Sequence, residues 1–203
     1  MKLALLATLL AFSAGAVQAI ATVGQPAPAF TATDTAGQTV SLASFKGRHV
    51  VLEWVNPGCP YVQKHYDSAN MQGTQADATA QGVVWLAINS TAKDHVDYKA
   101  PAALAQWMQG HKAKATATAT LMDADGSIGR AYGARSTPHI FVINPTGTLV
   151  YAGAIDSKPT AQIADIATAT NHVKAALAES LAGKTVSVPA TRAYRCSVKY
   201  APL

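Results

Sequence analysis

The chain has 203 residues, 49% hydrophobic and 13% charged, with a mean hydropathy of +0.12, which fits one domain with appendages and excludes global disorder. Lys and Arg number 16 against 11 Asp and Glu, a formal charge of +5 with no run of five like charges. That pattern excludes a nucleic-acid stripe and leaves only a mild preference for acidic partners.

The first segment has the order of a leader. Met1-Lys2 is positive, Leu3 to Ala16 is almost unbroken apolar sequence, and Val17-Gln18-Ala19 carries small residues at the end. This predicts a signal peptide over 1–19, cut after Ala19, and a periplasmic or secreted chain. The run is short for a span of roughly 20 apolar residues and no Cys follows to take a lipid, so no stable membrane anchor is expected. Cys59 and Cys196 both lie beyond the leader, where oxidising conditions let one bridge form.

After a Gly/Pro-punctuated opening, Phe30 to Thr33, the Asp34 to Gly37 turn and Thr39 to Leu42 predict a β-hairpin. His49 to Val55 then reads as a buried central strand, ended by Pro57-Gly58-Cys59-Pro60. Tyr61, Val62, His65, Tyr66 and Ala69 recur on one face of a helix, so Cys59 stands where a strand hands over to a helix. Val83 to Asn89 is a second apolar run, predicted as a strand parallel to the first. Ala102 to Trp107 reads as helix, Ala115 to Leu121 as a weak strand and Ile128 to Tyr132 as a short helix. His139 to Asn144, the Pro145-Thr146-Gly147 turn and Leu149 to Gly153 form a second hairpin, and Ala161 to Leu181 holds a closing helix. Alternating β and α mark one α/β domain over 20–183, with an insertion around Ser90 to Gly110 and a tail over 184–203.

Two places carry chemistry. A cysteine at a helix start is bathed by unpaired N–H groups and the positive dipole end, which stabilise a thiolate nucleophile. Pro60 supports that placement, being favoured at the first helical position. Lys64 and His65 follow within two turns, and no acidic residue stands between Glu53 and Asp67, so the sequence favours a lowered thiol pKa at Cys59. Thr137-Pro138 opens the later strand. A proline there withholds a ladder donor, and X-Pro is the bond for which a cis peptide is cheap, so its neighbours are candidates to face Cys59 across a groove.

At these residues the chain resembles thioredoxin-fold redoxins of the peroxiredoxin-like group, the alkyl hydroperoxide reductase/thiol-specific antioxidant proteins. The likeness runs from about Val23 to Ala154. It rests on Gly24 to Phe30, Val40-Ser41-Leu42, Phe45-Lys46-Gly47, Trp54-Val55-Asn56, Cys59-Pro60-Tyr61-Val62 and Ser136-Thr137-Pro138. It implies a thioredoxin-like fold with an N-terminal β-hairpin extension and a C-terminal Cys-bearing tail. It also implies that Cys59 is the peroxidatic or nucleophilic thiol and that Pro138 is the family's cis-proline. The chain departs from the pattern it resembles at Asn56 and Val62, which stand three residues either side of Cys59 where thioredoxin-type oxidoreductases carry a second Cys. It departs again at Leu52 and Asn56, where peroxiredoxins have Pro and Thr or Ser; Asn56 retains a donor for a thiolate or peroxide oxygen.

Cys196 is the remaining thiol, seven residues from the C-terminus. A flexible basic tail would bring it onto an oxidised Cys59, because closing a long loop costs a slowly growing entropy. The expected cycle has Cys59 attack a peroxide or a protein disulfide, Cys196 resolve the product, and a thiol reductant protein reopen the bridge. The alternative is a non-catalytic redoxin-fold binding module with a structural Cys59–Cys196 disulfide.

Arg135, Arg192 and Arg195 are candidates to stabilise an oxyanion, Arg135 being nearest Pro138, although a single arginine is ordinarily solvated. His65 falls on the apolar helix face and reads as a satisfied buried histidine, and His139 as a strand residue. Asp123-Ala124-Asp125-Gly126 has the look of a calcium loop, but Leu121 and Tyr132 occupy its first and closing ligand positions, so it reads as a turn before a helix. With no Cys/His cluster of zinc or haem spacing, neither metal nor cofactor is expected.

Overall fold

Two strands are almost wholly apolar because both their faces are covered. In the computed structural model, which describes residues 20–110, 117–194 and 196–202, β3 (Val50–Trp54) and β4 (Val84–Asn89) are buried along their whole length. They pair in parallel at the centre of a seven-stranded sheet, and such strands read as continuous hydrophobic runs. β1 (Thr31–Asp34) and β2 (Thr39–Ser41) form the first hairpin, β5 is Ala119–Met122, and β7 (His139–Ile143) and β8 (Leu149–Gly153) form the second. The order across the sheet is β2-β1-β5-β4-β3-β7-β8. The leader predicted over 1–19 and the start of the strand predicted from Ala115 lie outside the described residues.

Alternation along the strands divides the core in two. Val51, Val55, Trp85, Ile140 and Val142 face one side, covered by α1 (Pro60–Asp67), α2 (Asn70–Ala80) and α5 (His172–Leu181). Leu52, Trp54, Leu86, Ile88, Phe141 and Ile143 face the other, against α4 (Ser127–Tyr132). The chain reaches α4 after α3 (Pro101–Gln109). Glu53 is the polar exception in β3. Its fully buried carboxylate accepts hydrogen bonds from Tyr66 Oη at 2.8 Å, Trp85 Nε1 at 2.8 Å and Gln75 Nε2 at 3.0 Å. Burial pushes its pKa up against the pull of those three donors.

Three expectations change. The helix after Cys59 ends at Asp67 instead of running through Ala69, which sits at φ 61°, and α2 begins at once. Its composition of Thr, Gln and Ala carries no strong apolar stripe, so periodicity passed over it. The closing segment is a 3-10 turn over Ile163–Thr168 followed by α5, whose N-cap Asn171 accepts from Lys174 N at 2.9 Å.

The third change concerns the tail. Expected as a flexible arm, it is packed along the domain. Ala152 N donates to Pro189 O and Thr191 N to Ala152 O, both at 3.1 Å, covering the exposed edge of β8. Thr191 Oγ1 accepts from Ala154 N at 2.9 Å and lies 2.7 Å from Tyr151 Oη. Further on, β9 (Cys196–Ser197) pairs with β6 (Ser136–Thr137), and Lys199 O accepts from Ala92 N at 2.8 Å. A row of unpaired strand groups and buried tyrosines gives the tail partners that composition alone conceals.

Candidate functional site

The chain leaves β3 and turns into α1 through Asn56 to Cys59. Cys59 N donates to Asn56 O at 3.0 Å, and Gly58 N to Asn56 Oδ1 at 2.9 Å, so the asparagine side chain and backbone together shape the turn. Cys59 is the N-cap, with φ −88° and ψ 119°, and Pro60 occupies the first turn as expected. The Cys59 side chain makes no capping bond. Its sulfur points across to the Thr137–Pro138 peptide, which is cis. The Cys59 Sγ lies 3.1 Å from Thr137 O.

That sulfur is bonded to Cys196, with the two Cα atoms 5.9 Å apart and 137 residues between them in sequence. Cys59 is 1% exposed and Cys196 half-buried. In the β6–β9 pairing Thr137 stands opposite Cys196 and Ser136 opposite Ser197. The tail therefore lies in extended form across the proline loop, placing its own cysteine on Cys59. Val198 N continues the contact, donating to Arg135 O at 3.2 Å.

Of the predicted residues, the structure brings together Cys59, Cys196, Thr137 and Pro138, with Asn56 in the adjoining turn. Arg135 contributes its backbone carbonyl to the tail, while its side chain is exposed to solvent. Arg192 is likewise exposed, and Arg195 lies outside the described residues. The Asn56 amide is committed: Nδ2 donates to Asp97 Oδ2 at 3.1 Å and Oδ1 accepts from Gly58.

The expected electrostatic support for a Cys59 thiolate is redirected by tertiary contacts. Lys64 is fully buried, 3.3 Å from Asp156 Oδ2, and donates to Lys158 O at 3.0 Å. His65 is also buried. Its Nδ1 lies 2.8 Å from Asn70 Nδ2 and its Nε2 3.8 Å from Asp156 Oδ2. Burial brings the His65 pKa down to about 4, with Asp156 opposing and Lys64 reinforcing, so its ring is neutral near pH 7. His139 stacks on Phe141 with centroids 4.3 Å apart, and burial, aided by the Arg135 charge, brings it down to about 4. Nor is the site free of acids. Asp97 presses on Gly58 so closely that a Cβ there would stand 2.9 Å from its Cγ.

Sequence reasoning passed over Asp97, Asp156 and Tyr194, which arrive from three distant segments. Tyr194 Oη donates to Asp156 Oδ1, and the tyrosine is buried. One signal was legible: Tyr194, Cys196, Val198 and Tyr200 alternate with polar residues, the period of an extended segment with one packed face. The Asp123 turn is as predicted. Asp123 accepts from Ile128 N at 3.0 Å and Gly129 N at 2.9 Å, starting α4. No cluster able to hold a metal ion occurs among the described residues, and no described helix is long and apolar enough to cross a membrane.

Solved structures share this architecture. A hypothetical protein of Sinorhizobium meliloti is 24% identical, with 89% of this chain and 95% of that one covered at a TM-score of 0.70. An uncharacterized conserved protein of Geobacillus kaustophilus is 24% identical, with 90% and 94% covered and a TM-score of 0.72. A putative thiol:disulfide interchange protein DsbE of Chlorobium tepidum is 23% identical over 65% of this chain and 84% of that one, with a TM-score of 0.52. These likenesses establish the thioredoxin-like fold. Comparison with curated proteins finds no match. The model of the AhpC/TSA family matches residues 23–152, a span that contains Cys59, the cis-proline and the main sheet except the last residue of β8. The chain therefore belongs to the AhpC/TSA family.

Proposed function

We propose that this chain is an exported thiol-dependent oxidoreductase that exchanges disulfides with other proteins, with Cys59 as nucleophile and Cys196 as resolving thiol. The observation that carries the reading is the Cys59–Cys196 bridge formed across the cis-proline loop, with Cys196 held in an extended segment paired to Thr137. Such a seat accommodates a cysteine in extended polypeptide, so a partner disulfide presented the same way meets Cys59 at the same place. In the first step the Cys59 thiolate attacks one sulfur of the partner disulfide, and the other leaves as a thiolate. Cys196 then attacks Cys59 Sγ, closing the intramolecular bridge and releasing the partner as a dithiol. An external thiol reductant supplies the two electrons that reopen the bridge.

Peroxide reduction through the same two thiols is less well supported. The Asn56 amide is engaged by Asp97 and Gly58, and Arg135 faces solvent, so neither is aimed at a peroxide oxygen. The structural-bridge reading draws on one observation, the many contacts that hold the tail apart from the disulfide.

The experiment is thiol labelling with mass spectrometry. The reduced protein is mixed with a disulfide-bonded peptide or with one equivalent of hydrogen peroxide, alongside Cys196→Ser. Exchange predicts a Cys59–peptide mixed disulfide trapped in Cys196→Ser and rapid bridge closure in the parent with the peptide. Closure with peroxide alone would move the assignment to peroxide reduction. A bridge that mild reductant leaves closed would establish the staple and overturn the enzyme reading.

A further inference from the structure

The resolving step needs Cys196 to reach Cys59 Sγ in line, and the tail is anchored to the domain close to that cysteine. Tyr194 stands two residues before Cys196, so in an extended chain both project to the same side. The tyrosine is 5% exposed, its ring meets Tyr61 edge-on with centroids 5.8 Å apart, and Lys64 Nζ stands 5.8 Å from its centroid. Tyr61 and Lys64 belong to α1, the helix that begins next to Cys59.

The Tyr194 hydroxyl ends on Asp156, whose other oxygen holds Lys64 at 3.3 Å. Asp156 Oδ1 also accepts from Lys158 N at 2.9 Å, which fixes the carboxylate. One buried carboxylate thus joins the helix bearing the nucleophile to the tail bearing the resolving thiol. Hydrogen bonds to ionised groups are the stronger kind, and the pair is shielded from water.

We infer that Tyr194 is a positioning residue for the resolving step: docked on Asp156, it sets the register of the tail so that Cys196 stays opposite Cys59 when the bridge is open. The inference rests on the oxidoreductase reading for its place in the cycle. The step itself balances. The Cys196 thiolate attacks Cys59 Sγ, the Cys59–Cys196 bond forms, the bond from Cys59 to the partner sulfur breaks, and that sulfur leaves with the electron pair and takes a proton. Tyr194 contributes no atom to it. It raises the effective concentration of one thiol at the other.

The test uses the full chain with Tyr194→Phe and Tyr194→Ala, each checked for folding by circular dichroism. The bridge is equilibrated with reduced and oxidised glutathione, and its closing rate is measured from a Cys59–glutathione mixed disulfide. Tyr194→Phe removes only the hydroxyl, and is expected to lower the effective concentration about tenfold, the loss expected for one hydrogen bond to a charged group. That raises the reduction potential by about 30 mV, and closure slows in proportion. Tyr194→Ala, which also removes the ring, is expected to go further. Alkylation of Cys59 in a Cys196→Ser background should be the same with either residue at position 194. A folded Tyr194→Ala protein with the parent's potential and closing rate overturns the inference, as does an equal change in Cys59 alkylation. Failure of the oxidoreductase reading shows separately, as a parent bridge that excess dithiothreitol leaves closed in the folded protein. The comparison of closing rates is then made on the refolded dithiol with oxidised dithiothreitol.

Discussion

Replacing Gly129 by alanine should destabilise this protein, although the same change in an ordinary helix stabilises. Gly129 lies inside α4, where alanine is worth about 1 kcal/mol over glycine. Here a Cβ would stand 2.3 Å from Tyr200 Oη, 2.8 Å from Tyr200 Cε1 and 2.9 Å from Ser90 Oγ. Ser90 has no room to yield, since it accepts from Trp54 Nε1 at 3.0 Å and donates to Asp123 at 2.5 Å. Tyr200 must therefore leave. It forfeits a 2.7 Å hydrogen bond to Ala134 O, worth about 1 kcal/mol. It also forfeits the Arg130 guanidinium 4.6 Å from its ring centroid, worth roughly 0.5–1 kcal/mol. Ring burial adds about 1 kcal/mol for a half-buried aromatic. Against the helix gain this leaves about 2 kcal/mol of net loss, a fall in Tm of about 4–8 °C for a chain of this size. Calorimetry of the oxidised protein measures it. In a Tyr200→Ala background the loss should be much smaller, because only the Ser90 Oγ contact at 2.9 Å still opposes the helix gain. A higher Tm for Gly129→Ala in the parent chain would refute the argument that the tail is seated on this helix.

Three further outcomes follow from the site. Cys196→Ser opens a loop spanning 137 residues, and loop entropy sets the loss at about 5 kcal/mol of unfolding free energy by urea denaturation; a loss under about 1 kcal/mol would contradict it. Asp97→Asn removes a negative charge packed against Gly58, so alkylation of reduced Cys59 should shift to lower pH, and an unmoved or raised profile would show that Asp97 does not act on the thiol. His65 has its folded pKa depressed from 6.5 to about 4, so the fold favours the neutral ring: the contribution is present above pH 6.5 and lost as pH falls towards 4. That amounts to about 3 kcal/mol, and His65→Gln should flatten the acid side of the stability profile between those limits; an unchanged slope counts against the assignment.

How much of this was legible in the sequence depends on the range of the interactions. Cys59 at a helix start was readable because Pro60 and the apolar run of β3 are local signals, and the hairpins were readable from alternation and turn residues. Thr137-Pro138 announced itself by a proline at the start of a strand. The second helix was not readable, because its residues lack an apolar stripe and are held by contacts with α1 and α5. Lys64 and His65 illustrate the opposite failure. Neighbours of Cys59 in sequence, they are claimed by Asp156, some ninety residues away.

By itself the sequence determined the alternation of strands and helices, the thiol at a helix N-terminus and the proline that faces it, because propensity, period and turn chemistry act over a few residues. Only the tertiary structure decided that the tail is seated across the domain, that Cys196 lies on Cys59, and that Asp97, Asp156 and Tyr194 belong to the site. Those features depend on which distant groups remain unpaired once the sheet is built. The uncovered edge of β8, the backbone of Ser136–Thr137 and a buried carboxylate each find a partner in the same twenty residues of tail.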